Sequence, residues 1–114
     1  MGSDRLSDIP DVLSITSRTS ERGALVELVG ELDLATSGRF LQEVTSLLRA
    51  PVETIEIDVT RLTFTDSSGL HAFLEAKDAA TRAGATFQLS PVPPAVQRVI
   101  DLAGVATLLG QQNA

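Results

Sequence analysis

A regular alternation between two hydrophobic periods limits what this chain can fold into. Short runs with apolar residues at every second position are typical of half-buried strands, and apolar residues three and four positions apart are typical of helices. The first predicted strand begins at Val12, and the other strands lie at 24–29, 54–59 and 86–89. The predicted helices begin near Asp33 to Thr36, at Ser67 and at Pro93. The resulting order, β-β-α-β-α-β-α, predicts an α/β fold.

The connections between these segments predict how they pack. The turn signal at residues 20–23, Ser-Glu-Arg-Gly, indicates an antiparallel hairpin of the first two strands. The later strands are separated by helices, which favours parallel pairing through right-handed crossovers. We therefore expect a mixed, mostly parallel sheet of four to five strands with helices packed on it. Residues 1–10 are predicted to be a flexible N-terminal arm, and residues 11–114 a single domain.

The composition excludes several classes of function. The chain contains no cysteine and a single histidine, His71, so thiolate and multi-histidine metal sites are excluded. A net charge of −6 and only four aromatic residues, all Phe, argue against direct nucleic-acid binding. No apolar run reaches the roughly 18 residues of a membrane span, and the polar N-terminus lacks a signal-peptide core. We expect a cytoplasmic protein without membrane insertion and without a cofactor.

The loop at residues 60–70 carries the most informative chemistry. Asp66, Ser67 and Ser68 are all favourable N-cap residues, and they lie where the second helix is predicted to begin. One interpretation is a capping sequence and nothing more. The other is an exposed hydroxyl at a helix N-terminus, where a phosphate would meet free backbone N–H groups and the positive end of the helix dipole.

Two motifs resemble those of a known family. Residues 66–70, Asp-Ser-Ser-Gly-Leu, follow a strand that ends in Ile-Asp-Val, as in the signature of STAS-domain anti-sigma-factor antagonists. Residues 30–36, Gly-Glu-Leu-Asp-Leu-Ala-Thr, resemble the family's turn between its second strand and first helix. The spacing of the motifs and the order of elements also match, and the resemblance covers about residues 12–109. It implies a single STAS domain.

The resemblance implies a partner-switching function without catalysis. In the family, the unmodified antagonist binds an anti-sigma factor that is also a serine kinase, and this binding frees the sigma factor. The kinase then phosphorylates the serine after the loop aspartate, here Ser67, and a PP2C-type phosphatase reverses the modification. The partner-binding residues that the resemblance implies are Asp33, Thr36, Asp66, Ser67, Ser68, Gly69, Leu70 and His71. Among them, Ser68 is expected to cap the helix, and Gly69 to let the backbone come close to a partner.

Two residues depart from the family pattern. Thr65 stands before Asp66 where an apolar residue is frequent, and His71 follows Leu70 where a small residue is common. Neither changes the Asp-Ser-Ser core, so the departures bear on the identity of the partner more than on the mechanism. His71 is interpreted as an exposed helix residue paired with Glu75, in preference to a pH sensor or a base for Ser67.

These residues allow other interpretations. Asp33, Asp58 and Asp66 could form a divalent-cation site, but solvated acids at strand ends are the preferred interpretation. A hydrolase that uses Ser67 lacks a second histidine and a Gly-x-Ser-x-Gly elbow. The main alternative function is a structural STAS subunit of a lipid-transport ATPase complex or of a sensory assembly.

Overall fold

Two long parallel strands form the centre of the sheet. In the computed structural model, which describes residues 12–111, β1 (Leu13–Thr19) and β2 (Gly23–Leu32) form an antiparallel hairpin. β2 pairs in parallel with β3 (Thr54–Thr65), and β3 pairs in parallel with β4 (Thr86–Leu89). The strand order is β1-β2-β3-β4, which confirms the predicted mixed sheet. The predicted arm at residues 1–10 lies outside the described residues.

Within the described part of the chain, three helices complete the predicted order. They are α1 (Ser37–Leu47), α2 (Ser67–Arg82) and α3 (Pro94–Ala103). The two crossovers, from β2 through α1 to β3 and from β3 through α2 to β4, move in the same direction across the sheet. Right-handed crossovers therefore place α1 and α2 on the same face. Within residues 12–111, none of the helices has the length and apolar content of a membrane span.

The central strands are longer than predicted. The second strand was predicted to end before Gly30, and a loop was predicted to begin at Thr60. Both predictions are wrong, because β2 continues to Leu32 and β3 to Thr65. The register of the two strands shifts at two irregularities near Gly30, which has a φ of +117°. A Cβ on Gly30 would lie 2.1 Å from the carbonyl oxygen of Val12, so only glycine fits there. The pairing ends with Leu32 beside Thr65, so the loops after both strands begin at one edge.

The hydrophobic core holds the two crossover helices together. Phe40 of α1 and Phe73 of α2 are fully buried, and their ring centroids lie 5.6 Å apart in an edge-to-face arrangement. Ile55 and Ile57 of β3 are also fully buried in the same core. The first turn of α1 and the second turn of α2 are thus packed against each other through these two rings.

Candidate functional site

The two loops that carry the sequence motifs leave neighbouring strands at one edge of the sheet. Leu32 and Thr65 are the last paired residues of β2 and β3. The buried hydroxyl of Thr65 donates a hydrogen bond to the carbonyl oxygen of Leu32, with an Oγ1–O distance of 2.9 Å. Asp33 and Asp66 follow these two residues directly. The motifs, 33 positions apart in sequence, therefore form one local structure.

Asp66 caps helix α2. Its backbone is extended, and its Oδ1 accepts a hydrogen bond from the N–H of Gly69 at 3.0 Å. This bond satisfies one of the N–H groups that the first helical turn leaves without a partner. The capping role expected for Ser68 is therefore wrong, because the cap is Asp66 and Ser68 is already the second helical residue.

Removal of the Asp66 carboxylate is expected to weaken the fold slightly. We expect Asp66→Ala to lower the free energy of unfolding by about 1 kcal/mol, because the N–H of Gly69 loses its acceptor. Urea denaturation followed by circular dichroism measures this change. Asp66→Asn is the matched control, since an amide oxygen also caps helices, and it should unfold near the wild-type midpoint. Equal stability of the Asp66→Ala variant and the wild type would contradict the capping role.

Ser67 is the first residue of α2, and its side chain is exposed. Among residues 12–111, nothing forms a hydrogen bond with its hydroxyl. The backbone N–H groups in the first turn of an α-helix lack intrahelical acceptors, and the single cap bond from Asp66 goes to Gly69. The Ser67 hydroxyl is therefore accessible to a modifying enzyme. An anion attached there would lie at the positive end of the helix dipole.

Gly69 and Leu70 face the interior of the domain. Both are buried, and a Cβ on Gly69 would lie 2.1 Å from Oγ1 of Thr65 and 2.5 Å from the carbonyl oxygen of Leu32. Gly69 thus permits the first turn of α2 to pack directly on the ends of β2 and β3. The close approach of Gly69 to a partner stays a prediction, since the contact that the structure describes is with its own strands.

The loop between β2 and α1 is closed by its own hydrogen bonds. Oδ1 of Asp33 accepts hydrogen bonds from the N–H groups of Ala35 and Thr36 at 3.0 and 3.2 Å. The hydroxyl of Thr36 is buried, accepts from the N–H of Asp33 at 2.9 Å and lies 3.0 Å from the carbonyl oxygen of Glu31. Asp33 and Thr36 therefore shape the loop, which presents Leu34 with 78% of its surface exposed.

A shallow depression of about 330 Å³ lies between this loop, α1 and α2. It is lined by Leu34, Ser37, Leu41, Ser67, Ser68, His71, Ala72 and Glu75. The predicted residues Ser67, Ser68 and His71 meet here, and Nε2 of His71 lies 3.0 Å from Oε1 of Glu75, which confirms the predicted pair. The sequence interpretation missed Leu34. An apolar residue inside a polar turn, directly after Asp33, was the available signal.

The three aspartates considered as a cation site have other roles. The carboxylate of Asp58 accepts hydrogen bonds from the hydroxyl and the N–H of Thr60 at 2.7 and 3.0 Å, and these bonds hold the pKa of Asp58 below its usual value. Asp33 and Asp66 accept hydrogen bonds from loop and helix N–H groups. Across residues 12–111, no group of three acidic or histidine side chains is arranged to hold a metal ion.

Comparison with known proteins identifies the family of this chain. The family model described as "Mlab, STAS domain" matches residues 15–110, so the chain belongs to the STAS domain family. An anti-sigma factor antagonist from Mycobacterium paratuberculosis has a similar structure, with a TM-score of 0.78 and 20% sequence identity over 93% of this chain and 90% of that one.

Two further solved structures share the fold. The unphosphorylated anti-sigma factor antagonist SpoIIAA, from Bacillus, aligns with a TM-score of 0.71 and 21% identity over 90% of this chain and 87% of its own. A sulfate transporter family protein from Wolinella succinogenes aligns with a TM-score of 0.70 and 19% identity over 82% of this chain and 75% of its own. At these identities, the likeness establishes a shared fold.

Proposed function

We propose that this protein is an anti-sigma-factor antagonist controlled by phosphorylation of Ser67. The unphosphorylated form binds an anti-sigma factor that is also a serine kinase, and this binding releases a sigma factor in the cytoplasm. The observation that carries the proposal is the exposed Ser67 hydroxyl on the first residue of a capped helix, at the edge where both family motifs meet. The protein acts through binding and has no catalytic activity of its own.

The position of Ser67 suits a modification that changes binding and leaves the fold intact. A phosphate adds a charge of about −1.5 to −2 and three strong acceptor oxygens. The N-terminus of α2 stabilises this charge in the free protein, because the helix dipole and free N–H groups face it. In a complex, the same dianion would lose its hydration between two surfaces, which costs binding energy. Modification therefore releases the partner.

The proposed partner surface combines exposed and buried residues with different roles. Ser67 and His71 are exposed, and Asp33, Asp66 and Ser68 are partly exposed, so these side chains are available for contacts. Thr36, Gly69 and Leu70 are buried and contribute by fixing the shape of the two loops. Leu34, which lies on the rim of the depression, adds an exposed apolar side chain of the kind that forms interface anchors.

Phosphorylation by the cognate kinase tests the proposal directly. The full chain is incubated with ATP and each candidate anti-sigma kinase of the source organism, and the products are analysed by intact and peptide mass spectrometry. We expect one phosphate on the peptide that contains Ser67, because this hydroxyl is exposed at the helix start. The Ser67→Ala variant should take up none, and a PP2C-type phosphatase should remove the phosphate from the wild type.

The matched control is Ser68→Ala, which removes the neighbouring hydroxyl and leaves Ser67 in place. It should be phosphorylated as fully as the wild type. Phosphate on Ser68, or no phosphorylation of the folded protein by any of the kinases, would refute the assignment of Ser67.

A structural STAS subunit is the second candidate function. The observation that favours it is the match to the sulfate transporter family protein, which associates this fold with a transporter family. A subunit of a lipid-transport ATPase complex or of a sensory assembly would co-purify stably with its complex. That association would be insensitive to Ser67→Ala and Ser67→Asp, which distinguishes it from the phosphorylation switch.

A further inference from the structure

His71 lies on the same face of α2 as Ser67, one helical turn further on. Residues four positions apart in a helix are neighbours, with about 5–6 Å between their Cβ atoms. Both residues line the depression between α1 and α2, and the side chain of His71 is 73% exposed. The imidazole is therefore within reach of a group attached to Ser67.

The imidazole has one nitrogen engaged and one available. Nε2 lies 3.0 Å from Oε1 of Glu75, and Nδ1 has no hydrogen-bond partner among residues 12–111. A protonated imidazole donates from both nitrogens. His71 can therefore keep its contact with Glu75 while it donates a second hydrogen bond to an anion on Ser67.

Among the side chains that line the depression, no other cation competes with His71 for an anion on Ser67. Glu75 is the other ionisable residue that lines the depression, and the loop and α1 contribute Leu34, Ser37 and Leu41, which carry no charge. The nearby carboxylate of Asp33 accepts a hydrogen bond from a backbone N–H of its own loop, and that of Asp66 accepts one from the first turn of α2. Of the side chains that line this depression, His71 is the one that can become positive.

We propose that His71 is the counter-ion of phosphorylated Ser67 and holds the phosphate in the depression between α1 and α2. The inference rests on the proposed modification of Ser67 and adds a positioning role for His71. Phosphoserine takes up its second charge near pH 6. The phosphate and the imidazolium stabilise each other's charged form.

Titration of the phosphate by ³¹P NMR tests this pairing without the kinase. Phosphoserine is introduced at position 67 of the full chain during translation, and its second pKa is measured in the wild type and in His71→Gln. An imidazolium favours the dianion, so the wild-type phosphate should have the lower pKa, by about 0.4, as expected for an exposed pair one helical turn apart.

Two further variants distinguish direct pairing of His71 with the phosphate from an effect of net charge. His71→Lys keeps a cation at this position and should hold the phosphate pKa at or below the wild-type value. Arg82→Gln also removes one positive charge from α2, but at the far end of the helix, where Arg82 pairs with Asp78 at 3.2 Å. It should leave the phosphate pKa unchanged.

Identical titration curves for the wild type and His71→Gln would overturn the role of His71 and leave the phosphorylation of Ser67 standing. A pKa that rises equally in Arg82→Gln and His71→Gln would also overturn it, because net charge alone would then explain the change. Failure of every kinase to modify Ser67 is a different result, which refutes the proposed function without bearing on the NMR titration.

Discussion

Ser67→Asp is expected to bind the anti-sigma factor at least about 100-fold more weakly than the wild type. Burying a charge without a partner in an interface costs about 3 kcal/mol or more, and about 2.8 kcal/mol corresponds to a factor of 100 in Kd. The exposed position of Ser67 at the start of α2 brings the new carboxylate directly into the proposed contact surface. Isothermal titration calorimetry with the purified anti-sigma factor measures the change in Kd.

Two control variants decide what a loss of binding means. Ser67→Ala removes the hydroxyl without adding charge, so it should bind as tightly as the wild type and stay bound in the presence of ATP. Ser20→Asp makes the same substitution in the exposed turn between β1 and β2, at the end of β2 opposite to the two motifs. It should bind normally. If Ser67→Asp and Ser67→Ala both bound like the wild type, the switch at Ser67 would be refuted.

Gly69→Ala is expected to lower the free energy of unfolding by about 3 kcal/mol. Its Cβ would lie 2.1 Å from Oγ1 of Thr65 and 2.5 Å from the carbonyl oxygen of Leu32, so the backbone of α2 must move away from the sheet. Overpacking of this kind typically costs about 1–3 kcal/mol, and the buried site has no room to relax. Urea denaturation should show a decrease of about 2 M in the midpoint.

Gly38→Ala is the matched control for this substitution. Gly38 also lies in the first turn of a helix, but a Cβ there meets no atom within 4 Å. Because alanine has the higher helix propensity, Gly38→Ala should raise the stability by about 0.5 kcal/mol. An unchanged midpoint for Gly69→Ala would show that α2 does not pack on Leu32 as described.

The sequence predicted the elements well where a single hydrophobic period persisted. The run from Thr86 to Leu89 and the start of α2 at Ser67 agree with the structure. The predicted ends of β2 and β3 were wrong because two irregularities near Gly30 each shift the pairing by one residue, which interrupts the two-residue period of buried side chains. A polar strand end without that period resembles a loop.

The candidate site was predictable only in part for a similar reason. Asp66 and Ser67 lie next to each other in sequence, and their chemistry at a helix start follows from local rules. The depression is formed by Leu34 and His71, which are far apart in sequence and meet through the parallel pairing of β2 with β3. The depth to which Gly69 packs also depends on that pairing, so no local pattern distinguishes it from an exposed glycine.

Because α2 packs on the ends of β2 and β3, the residues that stabilise the fold differ from the residues that are exposed for contact with a partner. Gly69 and Thr65 are fixed by contacts with Leu32, whereas Leu34, His71 and Glu75 are exposed around Ser67. After gene duplication, the exposed set can diverge without loss of folding, while Ser67 keeps its place. Under the proposed function, paralogous copies with the same fold can thereby acquire separate kinases and avoid cross-talk.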